Sequence, residues 1–159
     1  MLNVGDTALV IIDVQEKLSR AMHDKEKLFD NLQRLIKGTK VLDVPLVLTE
    51  QNPAGLGATV PEIAPLLDGV EPVVKFSFSC CGEAAFNEAL AALGRRQVLL
   101  AGIEAHVCVY QTALDLLDAG YGVHVVVDCV DSRTPQNKNL SLDKMARAGA
   151  ELTGVEIAL

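Results

Sequence analysis

Three residues of complementary chemistry stand where apolar runs of strand length give way to polar sequence. Asp13 closes the run Thr7–Ile12, Lys75 closes the short run Val73-Val74, and Cys108 follows the run Val98–Ile103 within one helical turn. In the first turn of a helix, unpaired amides and the positive end of the dipole favour a thiolate, which makes Cys108 a candidate nucleophile. Asp13 would take the thiol proton as general base, and Lys75 would hold the carboxylate or the thiolate charged. Each has a plainer reading: a charged residue solvated where its strand emerges, and a cysteine packed as a small hydrophobe. The plainer reading is taken for Cys129, inside Val125–Val130.

The remaining cysteines and histidines add no second constellation. Cys80 and Cys81 stay ambiguous, and no C-x-x-C pair suggests structural zinc. His106 is two residues from Cys108, a separation at which helical side chains point apart, so no Cys-His dyad is expected. His23, His106 and His124 are scattered without ligand spacing, so no metal is expected. Gly55-Leu56-Gly57 begins like a dinucleotide fingerprint but has Val60 at the third small position and prolines on both sides. Turn glycines explain it better, and no cofactor is expected.

The elements that must position the trio alternate along the chain. Apolar strands are read at Thr7–Asp13, Pro45–Thr49, Val73–Lys75, Gln97–Gly102, Val123–Val127 and Leu152–Val155. Helical spacing is read at Lys25–Leu42, Glu83–Leu93, His106–Ala119 and Asn139–Ala148. Continuous apolar strands separated by helices predict a three-layer α/β/α domain around a doubly wound parallel sheet, spanning 1–159 as a single domain. Sites in such sheets lie beyond the carboxyl ends of the strands, where Asp13, Lys75 and Cys108 all fall.

The 159 residues carry 14 Lys and Arg against 21 Asp and Glu, a net charge of −7 that argues against a phosphate-tracking surface and so against nucleic acid as partner. No apolar run approaches the ~18 residues of a membrane span, and no basic leader precedes the first strand, so a cytoplasmic protein with reduced thiols is expected. The helix from His106 to Ala119 holds more apolar positions than one core-facing stripe needs. A homo-oligomer, a dimer or larger, is expected, with its interface near this helix and Asp131–Thr134.

Taken together, Leu9–Gln15, Lys75-Phe76-Ser77-Phe78, Ala101–Thr112 and Asp128–Arg133 resemble the isochorismatase-like cysteine hydrolases, in particular the metal-less isochorismatase domain-containing subgroup. The resemblance implies a six-stranded sheet of order 3-2-1-4-5-6 and a catalytic triad of Asp13, Lys75 and Cys108. It implies a cis peptide between Ile103 and Glu104, with amides near Glu104 and Cys108 forming an oxyanion hole. Gln15, Gln51, Phe76, Phe78, Glu104 and Tyr110 are the expected substrate-binding residues. Glu104 stands where many members have threonine, and is expected to select a cationic or polar group or to face solvent. The stretch Thr49–Pro53 lacks the metal-holding histidines of nicotinamidases, and Cys108 departs from true isochorismatases. The expected activity is cofactor-free cleavage of a C–N bond in a small amide or carbamoyl substrate through a cysteine thioester. A non-catalytic binding or oligomerisation module, and a thiol-redox protein using Cys80, Cys81 or Cys108, are the alternatives. One geometric tension stands out: strand three would lie two strand spacings from strand one, roughly 9.5 Å away. Lys75 must therefore reach inward, or its strand must bend.

Overall fold

A computed structural model describes residues 1–159. Six strands, β1 (Thr7–Ile12), β2 (Leu46–Gln51), β3 (Val73–Lys75), β4 (Gln97–Ile103), β5 (Gly122–Asp131) and β6 (Glu151–Thr153), form one sheet. Its order is β3-β2-β1-β4-β5-β6, and every pairing is parallel. The helices are α1 (Glu16–Ser19), α2 (Lys25–Val41), α3 (Pro53–Leu56), α4 (Ala84–Ala92), α5 (Tyr110–Asp118), α6 (Pro135–Ala148) and α7 (Val155–Ala158). None is long and apolar enough to cross a membrane.

Alternation along the strands divides the interior into two layers. Ala8, Val10, Ile12, Val98 and Leu100 pack with Phe86, Leu90, Ala113, Leu116 and Met145 of α4, α5 and α6. Leu9, Ile11, Leu99 and Ala101 face the other way, onto Leu28, Leu32, Leu35 and Ile36 of α2. Every residue of β1 is buried, as a strand covered on both faces requires. Each large aliphatic side chain so enclosed contributes about 1.5–3 kcal/mol.

Most strand ends move by one or two residues from the sequence reading, β6 being Glu151–Thr153 rather than Leu152–Val155, and three differences are larger. β5 runs on to Asp131, because its pairing with β4 shifts between Leu100 and Gly102 and resumes at Val130. Residues 128–131, read as loop, are therefore strand beyond an irregularity. α6 starts at Pro135 rather than at Asn139: the Thr134 side chain caps it by accepting from the Asn137 amide, and Pro135 takes the first turn, where its missing N–H costs nothing. The segment read as one helix from His106 opens instead as a π-helical turn, Ala105–Val109, before α5. Its apolar surplus is partly consumed by the core, since Val109, Ala113 and Leu116 are buried. Gly102 permits the tight approach of β4 to β1: its φ is 123°, and a Cβ there would overlap the Ile12 backbone.

Candidate active site

Asp13, Lys75 and Cys108 meet at the carboxyl end of the sheet. Asp13 leaves β1 in a left-handed conformation, φ 53°, with its side chain wholly enclosed. Its Oδ1 accepts from the Thr49 hydroxyl at 2.8 Å, a contact set by the Ile12–Thr49 register of β1 and β2. Its Oδ2 lies 2.7 Å from Lys75 Nζ. The inward reach of Lys75 resolves the spacing problem: its fully buried stem passes the end of β2, where Gln51 is its register partner. The ammonium donates to Gln51 Oε1 at 2.7 Å and to the carbonyls of Ser77 and Phe78 at 3.0 Å each. Asp13 Oδ2 is thus a fourth acceptor around an ammonium that has three protons, and the pair is held by charge as well as by hydrogen bonding.

Burial sets the acid-base character of all three groups. It raises the Asp13 carboxyl above its ordinary value even though Lys75 and the Thr49 hydroxyl pull the other way. Burial lowers the Lys75 ammonium, but the Asp13 carboxylate and then Cys108 outweigh it, and the net shift is upward. The Cys108 thiol, 5 % exposed and within donor reach of Asp13, is pushed up to about 12 by burial and by that carboxylate, against the pull of Lys75. Enclosure and a neighbouring anion outweigh the first-turn amides, so Cys108 rests as a thiol beside an ionised carboxylate–ammonium pair.

Several expected substrate contacts are engaged elsewhere. Gln15 is buried and spans the chain, its Nε2 donating to the carbonyls of Gln51 and Gly57 and its Oε1 accepting from the Gln51 amide. Gln51 spends both ends of its amide on Lys75 and on the Phe76 carbonyl. Glu104 neither faces solvent nor offers a free carboxylate. It is buried, and both its oxygens accept from Arg133, at 2.8 Å from Nη2 and 3.1 Å from Nε. Tyr110 opens α5 beneath Lys144, whose Nζ lies 5.4 Å from the ring centroid. Phe76 and Phe78 are exposed, at 71 % and 57 %, and remain free for contact. Ile103 is buried, and its bond to Glu104 is cis. His106 is set against Ser132, with Nδ1 3.0 Å from its Oγ.

Three residues near the trio, Thr49, Arg133 and Glu83, carried no assigned role in the sequence. Thr49 bridges Asp13 to Cys80, whose Sγ is 3.8 Å from the threonine hydroxyl. Cys80 itself is buried, its amide donating to Thr112 Oγ1. Arg133 and Glu83 hold the turns on either side. Only the strand-end position of Thr49 offered a signal; the others come together through loops. Burial pushes Cys80 up to about 12 and Cys81 up to about 11, the reverse of the low-pKa thiols that a redox protein would present. The four cysteines are free. No group of three His, Cys, Asp or Glu side chains forms a metal-binding set. Glu50, the carboxylate near the end of β2, is occupied by the amide and hydroxyl of Thr59, each at 2.7 Å.

The isochorismatase domain profile matches residues 7–157. The human isochorismatase domain-containing protein 2 is 40 % identical over 152 residues, covering 96 % of this chain and 73 % of its own. Among solved structures, one described as the MAR1 ribonuclease of Caenorhabditis elegans superposes with a TM-score of 0.91 at 38 % identity, covering 98 % of this chain and 80 % of that one. The YcaC gene product of Escherichia coli, described as an octameric hydrolase of unknown specificity, superposes with a TM-score of 0.94 at 26 % identity, covering 99 % and 79 %.

Proposed function

The chain belongs to the isochorismatase family, and from that premise we propose that it is a cysteine hydrolase acting on the C–N bond of a small amide or carbamoyl compound. The carrying observation is a buried thiol within donor reach of a carboxylate whose charge is held by a locked ammonium. As Cys108 Sγ attacks the carbonyl carbon, its proton passes to Asp13. The resting thiol is too weak an acid to ionise first, so transfer accompanies attack. Lys75 keeps the pocket electrically balanced while negative charge moves from carboxylate to substrate oxygen. Amides of the Glu104–Cys108 turn are the donors for that oxygen. Asp13 then returns the proton to the departing nitrogen, which leaves a thioester on Cys108. Water, deprotonated by Asp13, attacks the thioester, the acid departs, and the thiol is restored. No cofactor enters the scheme.

A net charge of −7 favours a small substrate over a polyanion such as RNA. We also propose self-association into a dimer or larger assembly, with Phe76 and Phe78 available to contact substrate or a second copy.

A panel of small amides and ureides, followed by intact-mass measurement during turnover, tests the reading. The expected result is an acyl adduct on Cys108, with hydrolysis lost in Cys108→Ala and reduced about 10²–10⁴-fold in Asp13→Asn. Hydrolysis that survives Cys108→Ala would overturn it.

A further inference from the structure

Lys75 must cross the end of β2 to reach Asp13, so the loop that receives its ammonium governs where the charge sits. That loop supplies two of the three acceptors, Ser77 O and Phe78 O, while its Phe76 and Phe78 side chains point outward and cannot anchor it by burial. A single oxygen gathers its amides. Glu83 Oε1 accepts from the Phe76 amide at 2.9 Å and from the Ser77 amide at 3.0 Å, and the Ser77 hydroxyl lies 2.8 Å away.

The peptide between Phe76 and Ser77 is thereby gripped on both sides. Its N–H goes to Glu83, and its carbonyl accepts from Gln51 Nε2 at 3.0 Å, the same Gln51 whose Oε1 receives Lys75. Glu83 holds the N-cap position of α4 but makes no capping bond; its carboxylate serves the loop instead. Gly82 allows the close approach, since a Cβ there would lie 2.7 Å from Ser77 Oγ.

We propose that Glu83 is a positioning residue for the reaction, gathering the Phe76 and Ser77 amides so that the Ser77 and Phe78 carbonyls and Gln51 hold the Lys75 ammonium against Asp13. This rests on the reading of Lys75 as charge partner of the Cys108 nucleophile. The three donors, the Phe76 amide foremost, lower the Glu83 carboxyl to about 2, so the anchor is charged at any working pH.

The test is the rate of Cys108 alkylation by iodoacetamide from pH 6 to pH 10, read by peptide mass spectrometry. It compares the full chain with Glu83→Ala, Glu83→Gln, Lys75→Met and the Glu83→Ala/Lys75→Met pair. Glu83→Ala is expected to slow labelling on the order of tenfold across this pH range, because the ammonium no longer sits fixed beside the thiol. Glu83→Gln, which keeps an acceptor oxygen, recovers most of the rate, and the double variant is no slower than Lys75→Met alone. Wild-type labelling in Glu83→Ala, or effects that multiply in the double variant, overturns the positioning role. Slow labelling in Lys75→Met with normal labelling in Glu83→Ala removes that role and leaves the charge-partner reading standing. Normal labelling in Lys75→Met removes both. Were Glu83→Ala not to fold, Ser77→Ala carries the same test, with a smaller slowing in the same direction expected and wild-type labelling overturning the proposal.

Discussion

Lys75 Nζ and Asp13 Oδ2 are 2.7 Å apart with neither side chain exposed to solvent, an ion pair closed inside the end of a parallel sheet. Such a pair is costly to bury and costlier to break, because the surviving partner keeps its charge without compensation. Lys75→Met or Asp13→Leu alone is expected to lower stability by about 3–5 kcal/mol, whereas the double replacement recovers much of that loss. Urea unfolding of the three variants checks this. Single variants that match the wild type would mean that the pair contributes little.

Alkaline pH is expected to destabilise the fold. Burial raises the thiols of Cys80 and Cys108 from 9.0 to about 12 and that of Cys81 to about 11, and it raises Cys129 as well. The unfolded chain therefore loses these protons first. Stability is intact below the unfolded value near 9 and declines as pH climbs toward the folded values. Denaturant midpoints between pH 8 and pH 10.5 should fall, and Cys129→Ala should flatten the decline. A midpoint independent of pH over that span would contradict the buried-thiol picture.

Hydrolysis is expected to be indifferent to chelators. Glu50 is committed to Thr59, and no histidine stands between Thr49 and Pro53 to join it. Activity after dialysis against EDTA should equal that before. A loss restored by zinc or iron would reveal a metal step that this donor set does not suggest.

Light scattering at micromolar concentration should return a multiple of 17.0 kDa. Exposed Phe76 and Phe78 beside the site motivate the expectation. Replacing both with serine should shift the assembly if they form the contact. A monomer in the wild type would confine these rings to substrate binding.

The order of elements and the placing of Asp13, Lys75 and Cys108 at strand ends were legible in the linear chain. Hydrophobic periodicity reports which backbone is covered on both faces, and a parallel sheet puts its strand ends on one rim. The fate of Gln15, Gln51 and Glu104 was not legible. A polar side chain near a site reads the same whether it awaits a ligand or is already bonded. Gln51 proves to be shared by Lys75 and the Phe76 carbonyl, and Glu104 is closed by Arg133 from the turn after β5.

By itself the sequence determined the layered sheet, the acidic surface, and the three side chains delivered to one rim, because these follow from local pattern and composition. Tertiary structure alone decided the protonation and the reach. Cys108 rests as a thiol because the folded chain encloses it beside an anion, against what its place in a first turn suggests. Lys75 faces Asp13 because Gln51, brought in from β2, and two carbonyls of its own following loop, held by Glu83, fix its ammonium there. Burial, and the partners that come from other elements such as Gln51 and Asp13, are set by residues distant in the chain, and no local pattern encodes them.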